Sequence, residues 1–149
     1  MSGMTDQTFV NALLTNLFKT STNTTITGGT GGTTQTVTVP FHLRLYTTTG
    51  TETSSGTELS SATGYTTGGS SLGSVFAGTV SGGQFSNANA VSWSAGSSWT
   101  TVTGVEIWDT AGTPVRYLWG ALTANITGVA SGDTVQFAAG SITVNASTW

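Results

Sequence analysis

The chain has 149 residues and a mass of 15.1 kDa, which suits one domain or one domain plus an arm. Charged residues make up 6% of it, against about 25% in an ordinary soluble protein, while 33 Thr, 18 Ser and 21 Gly supply nearly half. A net charge of −3 excludes the basic footprint of a nucleic-acid binder, zero Cys excludes disulfides and thiolate metal sites, and no stretch approaches the roughly 20 apolar residues of a membrane span.

Residues 1–20 read as a helical arm. Met1 to Met4 carry no positive charge, so the start does not read as an export signal. Phe9, Val10, Leu13, Leu14, Leu17 and Phe18 follow helical spacing over residues 6–19, about four turns. Thr5 or Asp6 is suited to cap the free N–H groups, and Lys19 falls in the last turn, where it complements the helix dipole. One amphipathic helix of this length is marginal alone, so its apolar stripe must dock. It can dock on its own β-domain or on a neighbouring subunit. Residues 21–35, rich in Thr and Gly, read as a flexible linker.

Residues 36–149 read as a β-domain. Val37, Val39, Phe41, Leu43 and Leu45 alternate with polar positions, the period of a half-buried strand over 36–46. Pro40 has no N–H to donate, which puts that strand at an edge or kinks it. Further strands are predicted over 74–80, 84–93, 99–109, 114–123 and a closing pair, 133–138 and 141–145. Gly-rich turn signals lie between them, at Gly68-Gly69, Gly82-Gly83, Ala111-Gly112, Ser131-Gly132 and Gly140. Seven or eight short strands at this spacing imply an all-β fold, an antiparallel β-sandwich or barrel. Uncharged Thr-rich faces are a solubility liability for a free monomer and suit a protein held in an assembly.

Motifs for chemistry are weak. Gly69-Ser70-Ser71-Leu72-Gly73 matches the G-x-S-x-G nucleophile elbow, yet a β-like segment follows it where the elbow needs a helix. A triad from Ser71 would draw on His42 and on Asp109 or Asp133; on a polar strand face, His42 reads as an exposed or hydrogen-bonded residue. The glycines from Gly29 lack the third glycine and the strand-turn-helix setting of a dinucleotide loop. Glu52, Glu58, Glu106, Asp109 and Asp133 lack calcium-loop spacing and read as solvated turn carboxylates. No catalytic residue, cofactor or metal is therefore expected. Asn23, Asn125 and Asn145 begin sequons, a number expected by chance in so Thr-rich a chain. Of the five Trp, Trp108 and Trp119 lie within apolar strands and are expected in the core. Trp93 and Trp99 bracket a loop and are the candidates for stacking on a sugar. Trp149 ends the chain and needs a surface to dock on.

From residue 43 onward the sequence resembles small virion proteins of tailed bacteriophages, labelled head decoration, minor tail or tail fibre proteins. The resemblance rests on Leu43-Arg44-Leu45-Tyr46-Thr47, Gly56-Thr57-Glu58-Leu59-Ser60 and Gly64-Tyr65, then on the runs from Trp99 to Asp109, Leu118 to Leu122 and Ser131 to Val144. It covers roughly two thirds of the chain, with residues 20–40 departing from it. It implies a structural role in the virion and no chemistry. The expected architecture is an antiparallel β-sandwich, jelly-roll-like, with one N-terminal amphipathic helix. The first expectation for function is a capsid decoration (cement) protein clamping the major capsid protein, as a homo-oligomer with a trimer favoured. The contacts would be Phe9, Leu13 and Leu17 of the arm, Val37 and Val39 by edge pairing, and Trp149. A tail component is the alternative, and a carbohydrate-binding adsorption module a third reading.

Overall fold

Residues 7–27, 33–59, 64–73 and 75–146 are described by the computed structural model. Thr5, Asp6 and Trp149, the predicted helix cap and terminal anchor, lie outside them.

The helix α1 runs Gln7–Phe18, ending one residue before the predicted end, so Lys19 falls just past its last turn. It docks on its own domain through one stripe: Val10, Leu14 and Phe18 are buried. Phe18 sits among Phe41, Phe76 and Phe85, with ring centroids 5.3, 5.9 and 5.0 Å away. Asn11 Oδ1 accepts the Gly83 N–H at 2.9 Å, and the Phe18 carbonyl accepts that of Ala77 at 2.8 Å. A three-turn helix too short to persist alone is thus fixed by tertiary burial.

The Thr-rich stretch after it is not all connector. The strand β1 (Thr24–Thr27) pairs antiparallel with β2 (Thr34–Val37), and the Thr24 hydroxyl donates to the Asn16 carbonyl of α1. The single strand expected over 36–46 is two. β2 stops at Val37 and β3 begins at His42, with the cis Val39–Pro40 bond between them. Proline supplies no ladder donor there, so the break falls where the kink was expected. The alternation survives it, since Val37, Phe41, Leu43 and Leu45 are buried and Val39 packs against the core.

Of the later strands, 74–80 forms only an isolated bridge at Ala77, and 84–93 divides into β6 (Gln84–Ser86) and β7 (Val91–Ser94). Two short strands went unforeseen, β4 (Thr57–Glu58) and β5 (Ser70–Ser71), both pairing with β3. β8 (Val102–Trp108), β9 (Arg116–Ile126), β10 (Thr134–Phe137) and β11 (Thr143–Asn145) follow the expected order.

The expected closing hairpin is absent: β10 pairs with β7, and β11 with β6. With β8 on β9, the pairs nest as β6–β11 around β7–β10 around β8–β9, which is a rolled antiparallel ribbon. The fold is an all-β antiparallel sandwich of jelly-roll character. Its largest sheet has the order β4-β3-β8-β9, and β5 also pairs with β3, leaving β9 at an outer edge.

Candidate functional site

The register of the five-stranded sheet sorts its side chains onto two faces. Leu43, Ile107 and Leu118 align across β3, β8 and β9, as do Leu45, Val105 and Gly120. These form the core side. Arg44, Glu106 and Trp119 align on the opposite face.

That opposite face holds both arginines and two of the glutamates. Glu106 is 1% exposed, not a solvated turn carboxylate. Its Oε1 receives the Arg116 guanidinium at 3.1 Å and the Gly56 N–H at 2.9 Å, and its Oε2 receives Trp108 Nε1 at 2.9 Å. Arg116 donates further to the carbonyls of Thr51, Glu52 and Ser54 at 2.6, 3.1 and 2.7 Å. One arginine therefore ties the 49–56 segment down over the sheet. Gly50 is pressed so close to Glu106 that a Cβ there would lie 2.3 Å from Oε1.

A second cluster adjoins the first. Arg44 lies 3.6 Å from Glu58, with its guanidinium carbon 4.4 Å from the centre of the Trp108 ring. Tyr65 donates its hydroxyl proton to Glu58 Oε1 at 2.7 Å and accepts the Leu45 N–H at 3.2 Å. Burial, with the Glu58 carboxylate beside it, pushes the Tyr65 phenol well above its ordinary value. Burial and the Glu106 carboxylate do the same for Tyr46, and burial and Asp109 raise Tyr117. Asp109 is likewise buried. It accepts the Val115 N–H at 2.8 Å and organises the turn between β8 and β9, where a solvated carboxylate was expected. Asp133 is exposed and accepts the Ala130 N–H within its turn, as expected of a turn carboxylate.

These placements separate the residues once considered for catalysis. Ser71 lies in β5 opposite His42 of β3, but its hydroxyl accepts the Gly73 N–H, and His42 Nδ1 lies 3.0 Å from the Gly68 carbonyl. Asp109 and Asp133 are committed to their own turns, so neither orients His42. No helix follows Ser71. Among the described residues, no three carboxylate or imidazole side chains converge on a point where a cation could sit.

The tryptophans reverse their expected roles. Trp93 and Trp99, the loop-mouth candidates, are buried, each 6.1 Å from the Tyr65 ring. Trp108 is half-buried beside Glu106, whereas Trp119, expected in the core, is 46% exposed. Trp93 lies within β7, buried like Val91 two residues before it, and Trp99 lies in the segment before β8 and packs inward. Of the predicted contact residues, Phe9 is 59% exposed, Leu13 and Leu17 are half-buried, Val37 is buried and Val39 half-buried.

The residues that sequence reasoning missed lie on β9. From Tyr117 to Ile126 this strand has no charge, and its outer edge carries no partner strand among the described residues. Two adjoining clefts of about 370 and 430 Å³ open beside it, sharing Leu122 and Phe137. Their apolar walls include Leu118 and Ile126 on one side, and Ile142 and Val144 on the other. The signal was in the sequence: Leu118, Trp119, Ala121 and Leu122 make β9 apolar on both faces, more than a strand with one solvated face requires.

A rolled β-sandwich with its charges folded inward and a long neutral edge suits a subunit of an assembly. No curated protein and no solved structure matches the chain. A family model does, across residues 16–145, and it makes the chain a structural protein of the bacteriophage virion. The chain belongs to the family described as Podophage GP4 fiber I protein gp80.

Proposed function

We propose that this protein is a structural subunit of a tail-associated fibre, with no chemistry of its own. The observation that carries the reading is the match to a phage fibre family over residues 16–145. It favours the tail component over the capsid cement role placed first from sequence. The geometry is in keeping with such a subunit. The ionisable groups nearest the β3–β8–β9 sheet satisfy one another, and the surface left for neighbours is Thr-, Ser- and Gly-rich. Affinity between such subunits comes from apolar burial and main-chain hydrogen bonds, repeated along the assembly.

The test is the copy number of the chain per virion, by quantitative mass spectrometry against the major capsid protein, with immunogold labelling of intact particles. A few copies to a few dozen, with gold at the tail, is the expected result. A ratio to the capsid protein near one to a small integer, with gold over the head, would overturn the fibre reading in favour of decoration.

A further inference from the structure

We infer that the outer edge of β9 is a homotypic contact, at which a second copy of this chain pairs its own β9 antiparallel about a two-fold axis through Trp119. Three observations meet there. The edge is uncharged from Tyr117 onward, with no lysine, no proline and no partner strand among the described residues. Trp119 stands 46% exposed in mid-strand. Gly120, beside it, lies within a strand without the positive φ that would explain a glycine, and a Cβ added to it would meet nothing within 4 Å.

That open space is informative. Gly104, across β8, is accounted for within the chain, because a Cβ there would lie 2.9 Å from the Thr49 hydroxyl and 3.1 Å from the Gly120 carbonyl. Gly120 has no such neighbour. A glycine within a strand marks close approach by something else when its own fold does not need it. It leaves a side-chain-sized notch in the cleft between Leu118 and Leu122.

Pairing centred on Trp119 fills the notch with what the strand itself carries. Trp119 faces its own copy on one side of the sheet. On the other, Leu118 of each copy lies opposite Gly120 of the other, so a large residue meets a notch twice, as an isologous interface requires. The ladder runs from Tyr117 to Ala121, bounded by the two register shifts in the pairing of β9 to β8, between Arg116 and Leu118 and between Ala121 and Ile126. Five residues give a ladder roughly 17 Å long. With each Trp119 burying only what it still exposes, the contact falls below about 1,200 Å², the range of weak and transient interfaces. It is therefore reversible in dilute solution and reinforced by repetition in a particle. The inference does not depend on whether the particle position is head or tail.

Sedimentation velocity of the full chain over a concentration series tests it, together with tryptophan emission and circular dichroism. The wild type is expected to pass from monomer to dimer with a blue shift in emission, and Trp119→Phe to dimerise without most of that shift. Gly120→Val is the decisive variant: its Cβ meets nothing within 4 Å, valine suits a strand, and the variant should retain the wild-type spectrum and melting temperature, yet weaken dimerisation about tenfold or more. Trp119→Ala should weaken it comparably. A wild type that stays monomeric throughout, or a folded Gly120→Val that dimerises as the wild type does, overturns the inference. If the wild type is monomeric alone while Gly120→Val is excluded from virions, the cleft receives a different chain and the homotypic contact is wrong.

Discussion

Two regions of the same sheet use the chain's few charges in opposite ways. Between β3, β8 and β9, two arginines and two glutamates are paired, Arg116 and Glu106 under the 49–56 segment and Arg44 and Glu58 beside them. A few ångströms away, the outer edge of β9 runs from Tyr117 to Ile126 without a charge at all. The first region is expensive to disturb, because removing either partner of a buried pair strands the other away from water. The second is nearly free to change within the monomer, because its groups already face solvent. Specificity of fold and availability for assembly are thus placed side by side and kept chemically apart.

The largest expected effect strikes the first region. Glu106→Ala leaves Arg116 unpaired and releases the Gly56 N–H and Trp108 Nε1, so urea unfolding should show a loss of about 3–5 kcal/mol. A loss below about 1 kcal/mol would mean the network is a passenger. Tyr65→Phe is smaller. It deprives Glu58 of one of its donors and the Leu45 N–H of its acceptor, and should cost about 1–3 kcal/mol in the same assay.

The pH dependence sharpens the comparison further. Tyr46, Tyr65 and Tyr117 all hold their protons more tightly folded than unfolded, burial being the main cause in each. A phenol shifted in this direction contributes its full stabilisation below the unfolded value of about 10 and loses it as pH rises beyond that. Stability should therefore decline above about pH 10, and Tyr65→Phe should flatten the decline, as followed by melting temperature against pH.

The smallest effect on the monomer belongs to the β9 edge. Thr123→Lys places a charge on an exposed strand position and should change unfolding free energy by no more than about 0.5 kcal/mol. A large loss would show that this edge is already engaged within the chain.

Much of the fold was legible because alternation and turn chemistry are local. The stripe from Val37 to Leu45, the order of the later strands and the docking helix all follow from period and from glycine placement. The pairing was not legible. Nothing near Thr134 or Thr143 says that its partner lies some 50 residues back in β7 or β6 rather than across the adjacent turn. Glu106 and Asp109 were misread for a related reason, since a carboxylate beside a turn is ordinarily solvated. Only the nesting of β8 and β9 brings Arg116 to Glu106 and the Val115 N–H to Asp109. Trp119 and Gly120 could have been singled out, because a strand apolar on both faces with a glycine between them is more than one core needs. The tryptophans at positions 93 and 99 could not, as loop-flanking position carries no information on which way a side chain points.

The most direct test is hydrogen exchange at backbone amides, compared between dilute isolated protein and intact virions. The amides of Gly56 and Val115, bonded to Glu106 and Asp109, should exchange at the same slow rates in both states. Those of Tyr117 to Ala121 that point away from β8 should be fast in the isolated chain and strongly slowed in the particle. Equal rates at β9 in the two states would contradict the account, leaving the neutral edge as plain surface.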